Sequence, residues 1–521
     1  MTAHISVYDL LQDSAEHHGD RRAFAQGAKT ATYAQLLQDV RLTAQRLGDS
    51  GVKAGERVAV YSAKQYETVV MLLAINALGA ILVPINPQLK AQQVRHILLD
   101  CGARLLASTG PRLRRIEAAL TDIELATWSL EKMPLADLNT QANTWLCNAV
   151  TDNDPGAILY TSGSTGRPKG VVLSQRNLVA GAQSVAHYLG LRCDDVILGI
   201  LPLSFDAGLS QLTTALTSGA CYAPLDFLQA GEVPTFCEAH GVTAITGVPP
   251  LWMQLASVPW PPQTGARIRC FANTGGHMPS PLLEKLRGAF PDALPYLMYG
   301  LTEAFRSTYL APDAALTRPD SIGKAVPNAD IRVMRQDGSE CAVGEHGELV
   351  HRGAFVTLGY WNDPQLTAQR FRAWPRPGLQ LSRDETAVWS GDIVYRDHDD
   401  YLYFVARSDD MIKTSGYRVS PTEVEEILFA AHDVTEAVAF GVPHPQQGEA
   451  IIISVFSHPQ APANANALIT LCREKLPTYM VPLHVSIHDS PLPRNPNGKI
   501  DRKQLKQQFF EFFSTPLTVT E

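Results

Sequence analysis

Apolar residues in the first 400 positions fall into two alternating rhythms, short β-branched runs and longer amphipathic stretches at helical spacing. Val58-Ala-Val-Tyr61 follows a loop with Gly55, Ile81-Leu-Val83 stands alone, and Val242-Thr-Ala-Ile-Thr246 precedes Pro249-Pro250; each reads as a strand. The run from Val69 to Ile85 is interrupted by Asn76, Gly79 and Pro84. It predicts a buried helix that breaks at Gly79 into a strand over Ala80 to Val83, because about 17 interrupted residues are short for a membrane span. Repeated strand, loop and helix predict an α/β architecture with largely parallel sheets.

Beyond about residue 320 the rhythm changes. Asp337-Gly338, Gly344-Glu-His-Gly347 and Asp397-His-Asp-Asp400 separate short strands such as Gly347-Glu-Leu-Val-His351, which predicts a β-rich subdomain of hairpins. The polar patch Arg407-Ser-Asp-Asp410 precedes the last segment. There Ser420-Pro421-Thr422-Glu423 supplies an N-cap, a first-turn proline and an early acid, and Val424, Ile427 and Leu428 follow at helical spacing. The end of the chain therefore reads as a small α+β domain joined at a polar hinge.

Length and charge narrow the function. The 521 residues exceed three times the ~150-residue prior for a domain, which excludes a single small binding module. A net charge of −8 with no basic block argues against duplex nucleic acid as the partner. The eight cysteines include no CxxC and no gap shorter than 16 residues, so neither a zinc knuckle nor a redox pair is expected and the thiols read as buried and reduced. Met1-Thr-Ala-His-Ile-Ser lacks the basic start and apolar stretch of a signal peptide, so the expectation is a cytoplasmic protein with no membrane partner.

The stretch richest in chemistry is Tyr160-Thr-Ser-Gly-Ser-Thr-Gly-Arg-Pro-Lys-Gly170, between the apolar runs Ala157-Ile-Leu159 and Val171-Val-Leu173. Gly163 and Gly166 permit tight turns that aim backbone N–H groups inward. Thr161, Ser162, Ser164 and Thr165 add hydroxyls, and Lys169 adds a cation, a combination that suits a polyphosphate. The spacing departs from G-x-x-x-x-G-K-[ST], so P-loop NTPase chemistry is disfavoured.

With these residues stand Leu201-Pro-Leu-Ser-Phe-Asp206, Asn273-Thr-Gly-Gly276, Tyr299-Gly-Leu-Thr-Glu303, Trp389-Ser-Gly-Asp392, Arg407 to Val419, and Pro493-Arg-Asn-Pro-Asn-Gly-Lys499. In this order, and over essentially the whole chain, they resemble the adenylate-forming superfamily of acyl-CoA synthetases, nonribosomal adenylation domains and luciferases. More narrowly, Leu301 to Tyr309 and Ser415 to Glu423 look like ligases encoded beside exosortase systems and stand-alone aminoacyl carrier-protein ligases. The resemblance implies a large adenylation domain over 1–408 and a small mobile lid over 409–521, turning at Asp409.

It also implies a reaction. A carboxylate joins the α-phosphate of ATP with release of pyrophosphate, and the acyl group then passes to the thiol of CoA or of phosphopantetheine on a carrier protein. Both first reactants are anions, so positive charge and alignment are needed. By family match, Glu303 holds Mg²⁺, Thr302 contacts phosphate, Tyr299 packs on adenine, and Gly275 and Gly276 border the nucleotide. Asp392 accepts from the ribose hydroxyls and Arg407 contacts ribose or phosphate, although Ala406 stands where most relatives have glycine. Lys499 bridges substrate carboxylate and α-phosphate. Lys413 and Gly416 belong to the face used for thioester formation.

The acid is read from a departure. Ser204-Phe-Asp-Ala-Gly208 resembles domains that select α-amino acids, whose aspartate binds the substrate ammonium, more than the Phe-His-x-x-Gly of many fatty and aryl acyl ligases. A buried carboxylate would penalise a plain fatty acid. By the same comparison Asp206, Ala207, Gly247, Ala272, Thr274, Met298, Arg306 and Ser307 line the pocket. Arg306 could pair with a second substrate carboxylate or with an acid of the protein itself. The expectation is a small polar or acidic amino acid, with a non-amino carboxylic acid as the alternative and an inactive scaffold as the remote one. A free-standing carrier protein is the expected partner; the basic tail Lys499, Arg502, Lys503 and Lys506 could meet it, or form a solvated helix face.

Overall fold

The structure, a computed structural model, describes residues 4–133, 150–162, 168–374, 385–408, 410–414, 417–429, 431, 433–444, 447–457, 462–476, 478–495 and 498–513. The chain divides into two compact units, residues 1–331 with 350–389, and residues 332–349 with 390–521. The hairpin segments 332–349 and 390–408 thus group with the C-terminal residues.

In the first unit the run read as helix then strand folds in that order. Tyr66–Ala77 is a helix buried at every position except Glu67, as an all-round apolar helix must be. Gly79 takes φ +74, and the Ala80 amide returns to the Ile75 carbonyl, which closes the helix. The strand Ile81–Pro84 follows at once.

That strand lies inside a six-stranded sheet ordered Ala126–Ser129, Leu105–Ser108, Arg57–Tyr61, Ile81–Pro84, Pro155–Ser162, Pro168–Ser174. Its neighbours are parallel except for the last pair, an antiparallel hairpin. The second sheet of this unit includes, in order, Arg22–Gln26, Cys221–Pro224, Val196–Gly199, Ala244–Gly247, Cys270–Asn273 and Leu294–Tyr299, all parallel. Thr308–Leu310 then turns back antiparallel on Leu294–Tyr299. Central parallel strands are covered on both faces, which explains their unbroken apolar runs. The α/β expectation holds here.

The second unit is built on hairpins and a small α+β sheet. Leu402–Arg407 pairs antiparallel with the Asp392 to Arg396 stretch. A separate sheet orders Tyr417–Val419, Ile412–Thr414, Gly448–Phe456 and Glu436–His444, with His484–His488 parallel to Gly448–Phe456. The helix expected after Ser420 spans Pro421–Phe429 and sinks Val424 and Leu428 into a core with Ile412, Ala439 and Ile453. The described cysteines are all unpaired thiols. Among the described residues no helix is long and apolar enough to cross a membrane.

Candidate active site

The phosphate-loop motif occupies the tip of the hairpin formed by Pro155–Ser162 and Pro168–Ser174. Register sets Thr161 opposite Lys169 and Tyr160 opposite Gly170, so a hydroxyl and an ammonium flank the turn. Gly163, Ser164, Thr165 and Gly166 lie outside the described residues, and of Ser162 the backbone alone is described. The outgoing strand is gripped by residues 358–361. Leu358 N–H donates to Val172 O (2.8 Å), Val172 N–H to Gly359 O (2.9 Å), and Trp361 N–H to Gly170 O (2.7 Å). A Cβ on Gly170 would stand 2.8 Å from Ile158 Cγ2, so only glycine lets this segment lie so close.

Glu303 sits in the 3₁₀ turn Thr302–Ala304, directly after the strand that ends at Tyr299. Its Oε1 accepts a hydrogen bond from Tyr360 Oη at 2.5 Å, and its carbonyl accepts from Thr357 N–H at 3.1 Å. Lys169 Nζ lies 5.8 Å from the centre of the Tyr360 ring. Among the described residues no three acidic, histidine or cysteine side chains cluster to hold a metal by themselves. A single carboxylate such as that of Glu303 is a donor set that suits Mg²⁺, which takes one or two carboxylates and completes its shell with substrate phosphates and water.

Several residues read as lining the acid pocket depend on a turn at Phe305. Phe305 takes φ +50 and ψ −59, and the Arg306 N–H reaches back to Ala304 O at 2.5 Å, the pattern of a γ-turn. Phe305 is wholly buried against Gly181, where a Cβ would come within 2.2 Å of its ring, so packing holds the strained turn. The turn sends Arg306 inward. Its side chain is 2% exposed, Nη1 donates to Phe305 O (2.7 Å) and stands 3.5 Å from Asp206 Oδ2. Asp206, at the start of the helix Asp206–Ser218, is 19% exposed. The carboxylate assigned to a substrate ammonium therefore lies within ion-pair distance of a guanidinium of the protein, the internal one of the two pairings open to Arg306.

Ala207, Met298 and Arg306 border one small void of about 10 Å³, on the scale of a single water. Tyr188 Oη donates to Met298 Sδ at 2.9 Å, and burial pushes its phenol well above the ordinary value while Arg306 pulls the other way. Ala272 lies in the core beside Met298. Gly247 abuts Trp252, its carbonyl accepting from Thr274 N–H at 3.0 Å. Asn273 Nδ2 donates to Gly276 O (2.8 Å), and Gly275 takes φ +76. Ser307 is fully buried, its hydroxyl 2.9 Å from His351 Nδ1, and burial holds the pKa of that imidazole down to about 3.

In the second unit, Asp392 and Arg407 are cross-strand partners, with Nη1 3.0 Å from Oδ1. Gly391 at φ +74 and the Ser390 hydroxyl donating to Leu349 O shape the turn before Asp392, which is buried. Lys499 is exposed at a tight loop in which Asn495 N–H donates to Lys499 O (2.8 Å) and Lys499 N–H to Asn495 Oδ1 (3.1 Å). Arg494 braces the loop, bonding Gly498 O and the buried Glu436. Lys413 lies on the strand Ile412–Thr414 opposite Arg418. Asp409 and Gly416 lie outside the described residues.

Sequence reasoning missed Tyr360 and Lys64. Lys64 is 5% exposed, donates to Ile200 O (2.8 Å) and Leu201 O (3.4 Å), and pairs with Asp226 Oδ1 at 3.0 Å. It thus fixes the backbone that opens Leu201 to Asp206. A lone lysine after a strand carries no signal of this. Tyr360 follows the apolar run Ala354-Phe-Val-Thr-Leu358 and gives no signal of its partner either.

Comparison with known proteins shows the family of the chain. The family described as AMP-binding enzyme matches residues 11–361, and AMP-binding enzyme C-terminal domain matches residues 423–499. A 2-succinylbenzoate–CoA ligase of Geobacillus kaustophilus is 31% identical over 94% of this chain and 95% of its own, and a feruloyl-CoA synthase of Amycolatopsis is 31% identical over 94% and 96%. Among solved structures, ATP-bound MatB from Rhodopseudomonas palustris superposes with a TM-score of 0.87 at 23% identity, over 98% of this chain and 100% of that one, a likeness of fold. O-succinylbenzoate coenzyme A synthetase from Bacillus subtilis, in complex with ATP and magnesium, gives 0.82 at 27% identity over 95% and 99%. The chain belongs to the AMP-binding enzyme family and is an AMP-forming acid–thiol ligase of the acyl-CoA synthetase type.

Proposed function

We propose that the enzyme activates a carboxylic acid without an α-amino group and transfers its acyl group to CoA in the cytoplasm. The observation that carries this reading is the ion pair of Arg306 with Asp206, which leaves no uncompensated carboxylate to attract an ammonium. The relatives named above support it, since they are CoA ligases of 2-succinylbenzoate and a feruloyl-CoA synthase. Neither name points to amino acids, carrier proteins or exosortase systems, so the narrower likeness and the carrier partner gain no support. Within the basic tail, Arg502 pairs with Asp410 and Glu425, and Lys506 with Glu449, so these charges are engaged inside their own unit.

In this reading a substrate carboxylate oxygen attacks the α-phosphorus of ATP and the bond to pyrophosphate breaks. The thiol sulfur then attacks the acyl carbonyl and AMP leaves with its oxygen. Thr161, Ser162, Gly163, Ser164, Thr165, Gly166 and Lys169 hold the triphosphate, and Thr302 contacts phosphate. Mg²⁺ at Glu303 would offset the charge that develops on the departing pyrophosphate. Tyr299 and the Gly275-Gly276 turn border the adenine. Asp392 accepts from the ribose hydroxyls beside Arg407. Lys499 pairs with the attacking carboxylate and the α-phosphate in the first step. Lys413 and Gly416 serve thioester formation, reached by rotation of a lid over 409–521 about Asp409.

Acid-dependent ATP–pyrophosphate exchange across a panel of aryl, dicarboxylic, fatty and amino acids tests the substrate class. Exchange with plain acids and none with amino acids is expected. Exchange confined to amino acids would overturn the reading, and no exchange with any acid would favour a scaffold.

A further inference from the structure

Residues 357–362 form a strap between two parts of the site that chain order keeps more than 130 residues apart. At one end the strap backbone pairs with the outgoing strand of the phosphate hairpin at Gly170, Val171 and Val172. At the other, Thr357 N–H holds the Glu303 carbonyl and the Tyr360 hydroxyl holds the Glu303 carboxylate. The strap is itself anchored from outside. Trp361 Nε1 and Asn362 Nδ2 both donate to Asp100 O, at 3.0 and 2.8 Å, while the Asp100 carboxylate accepts from Tyr160 Oη at 2.5 Å. Gly359 at φ +112 supplies the bend, since a Cβ there would meet Thr367 at 2.6 Å.

We infer that Tyr360 is a positioning residue for the first half-reaction: its hydroxyl locks the Glu303 carboxylate in one orientation, and the strap keeps that orientation in register with the phosphate loop. A glutamate has three side-chain torsions, and a carboxylate free to rotate samples many arrangements with one oxygen turned away from a metal. The hydrogen bond to Oε1 removes that freedom and leaves Oε2 as the oxygen to meet a cation bound with the triphosphate. The Tyr360 ring is 9% exposed and packs edge-on against Phe371 at 5.7 Å, so the hydroxyl is delivered from a fixed platform. Lys169, whose ammonium lies 5.8 Å from the centre of the same ring, shares that platform. The inference rests on the reading of Glu303 as the residue that holds Mg²⁺ and adds the group that aims it.

The test uses Tyr360→Phe, Glu303→Ala and the double variant in the full-length enzyme. Two properties are followed, the Mg²⁺ concentration that half-saturates calorimetric ATP binding and the same quantity for acid-dependent pyrophosphate exchange. Loss of a hydrogen bond to a charged group predicts that Y360F raises both by about tenfold. ATP affinity at saturating Mg²⁺, the KM for the acid and the melting temperature stay near those of the parent. Because Tyr360 acts through Glu303, adding Y360F to E303A should change the Mg²⁺ requirement no further. A Y360F enzyme with the parent's Mg²⁺ requirement, or full additivity in the double variant, overturns the inference while leaving Glu303 in place. An E303A enzyme with the parent's Mg²⁺ requirement instead removes the reading of Glu303, and this inference with it.

Discussion

Arg306 and Asp206 are separated by 100 positions in the chain and meet with 3.5 Å between Nη1 and Oδ2, the guanidinium almost fully buried. A buried pair loses most when a single partner is removed, because the survivor is then an uncompensated charge. Asp206 keeps some solvent, which places the loss at the low end of that range. Arg306→Met should lower stability by about 2–3 kcal/mol in urea titrations. Asp206→Asn should cost at least as much, since it strands the more buried member. A double variant more stable than either single one would measure the coupling directly. If Asp206 instead served a substrate, D206N would leave stability alone and change only the acid profile.

The same pair marks where legibility in the sequence ended. Apolar runs such as Val58 to Tyr61 and the break at Gly79 were readable because periodicity and a positive-φ glycine act locally. The strands on either side of the Thr161 to Lys169 segment were readable in the same way, as the short apolar runs Ala157 to Leu159 and Val171 to Leu173. Arg306 depended on a γ-turn at Phe305, a non-glycine residue at positive φ whose ring is packed in the core against Gly181. Nothing local announces that, so its partner could not be chosen from the sequence. Tyr360 and Lys64 were invisible for a related reason, since both act on groups more than 50 positions away.

His351 gives a pH dependence of folding. It is fully buried, with Nδ1 on Ser307, and burial holds its pKa near 3 against an ordinary value of 6.5. Between those two values the unfolded chain binds a proton at this position and the folded chain does not. Stability therefore falls as pH drops below about 6.5, by roughly 1.4 kcal/mol per pH unit from this group, and the loss ends near pH 3. His351→Asn keeps a partner for Ser307 and carries no titrating ring. The difference between parent and variant in urea midpoint should shift in favour of the variant from pH 7.5 to 5.5. A constant difference would show that folding leaves the titration of this ring unshifted.

Lys64 is held at a cost. Burial lowers its pKa, with Asp226 opposing, and its ammonium spans the carbonyls of Ile200 and Leu201. Pro202 O in turn lies where a Cβ on Gly208 would be, 1.9 Å away, so this loop has little room to shift. Lys64→Met leaves two carbonyls without their donor and should destabilise by about 2–3 kcal/mol. It should also raise the KM for the acid more than the KM for ATP, because the loop it secures runs into Asp206. Equal changes in both constants would reduce Lys64 to a stability role.

Lys499 offers the sharpest division between chemistry and fold. Its side chain is exposed, and the loop that presents it is closed by hydrogen bonds between Asn495 and the Lys499 backbone and by the Arg494–Glu436 brace. Removing the side chain should therefore leave the melting temperature unchanged. Two unit charges 4 Å apart are worth about 4 kcal/mol at an effective dielectric of 20. Losing roughly 3 kcal/mol of that from the transition state slows adenylation about a hundredfold or more. Lys499→Ala should thus lose acid-dependent pyrophosphate exchange while still converting a supplied acyl-adenylate to thioester at close to the parent rate. Asp409→Pro, at the position assigned to the hinge, should do the reverse, keeping exchange and losing thioester formation. Equal loss of both half-reactions in both variants would mean that the two steps do not draw on separate faces of the C-terminal segment, and would defeat the rotation assigned to it.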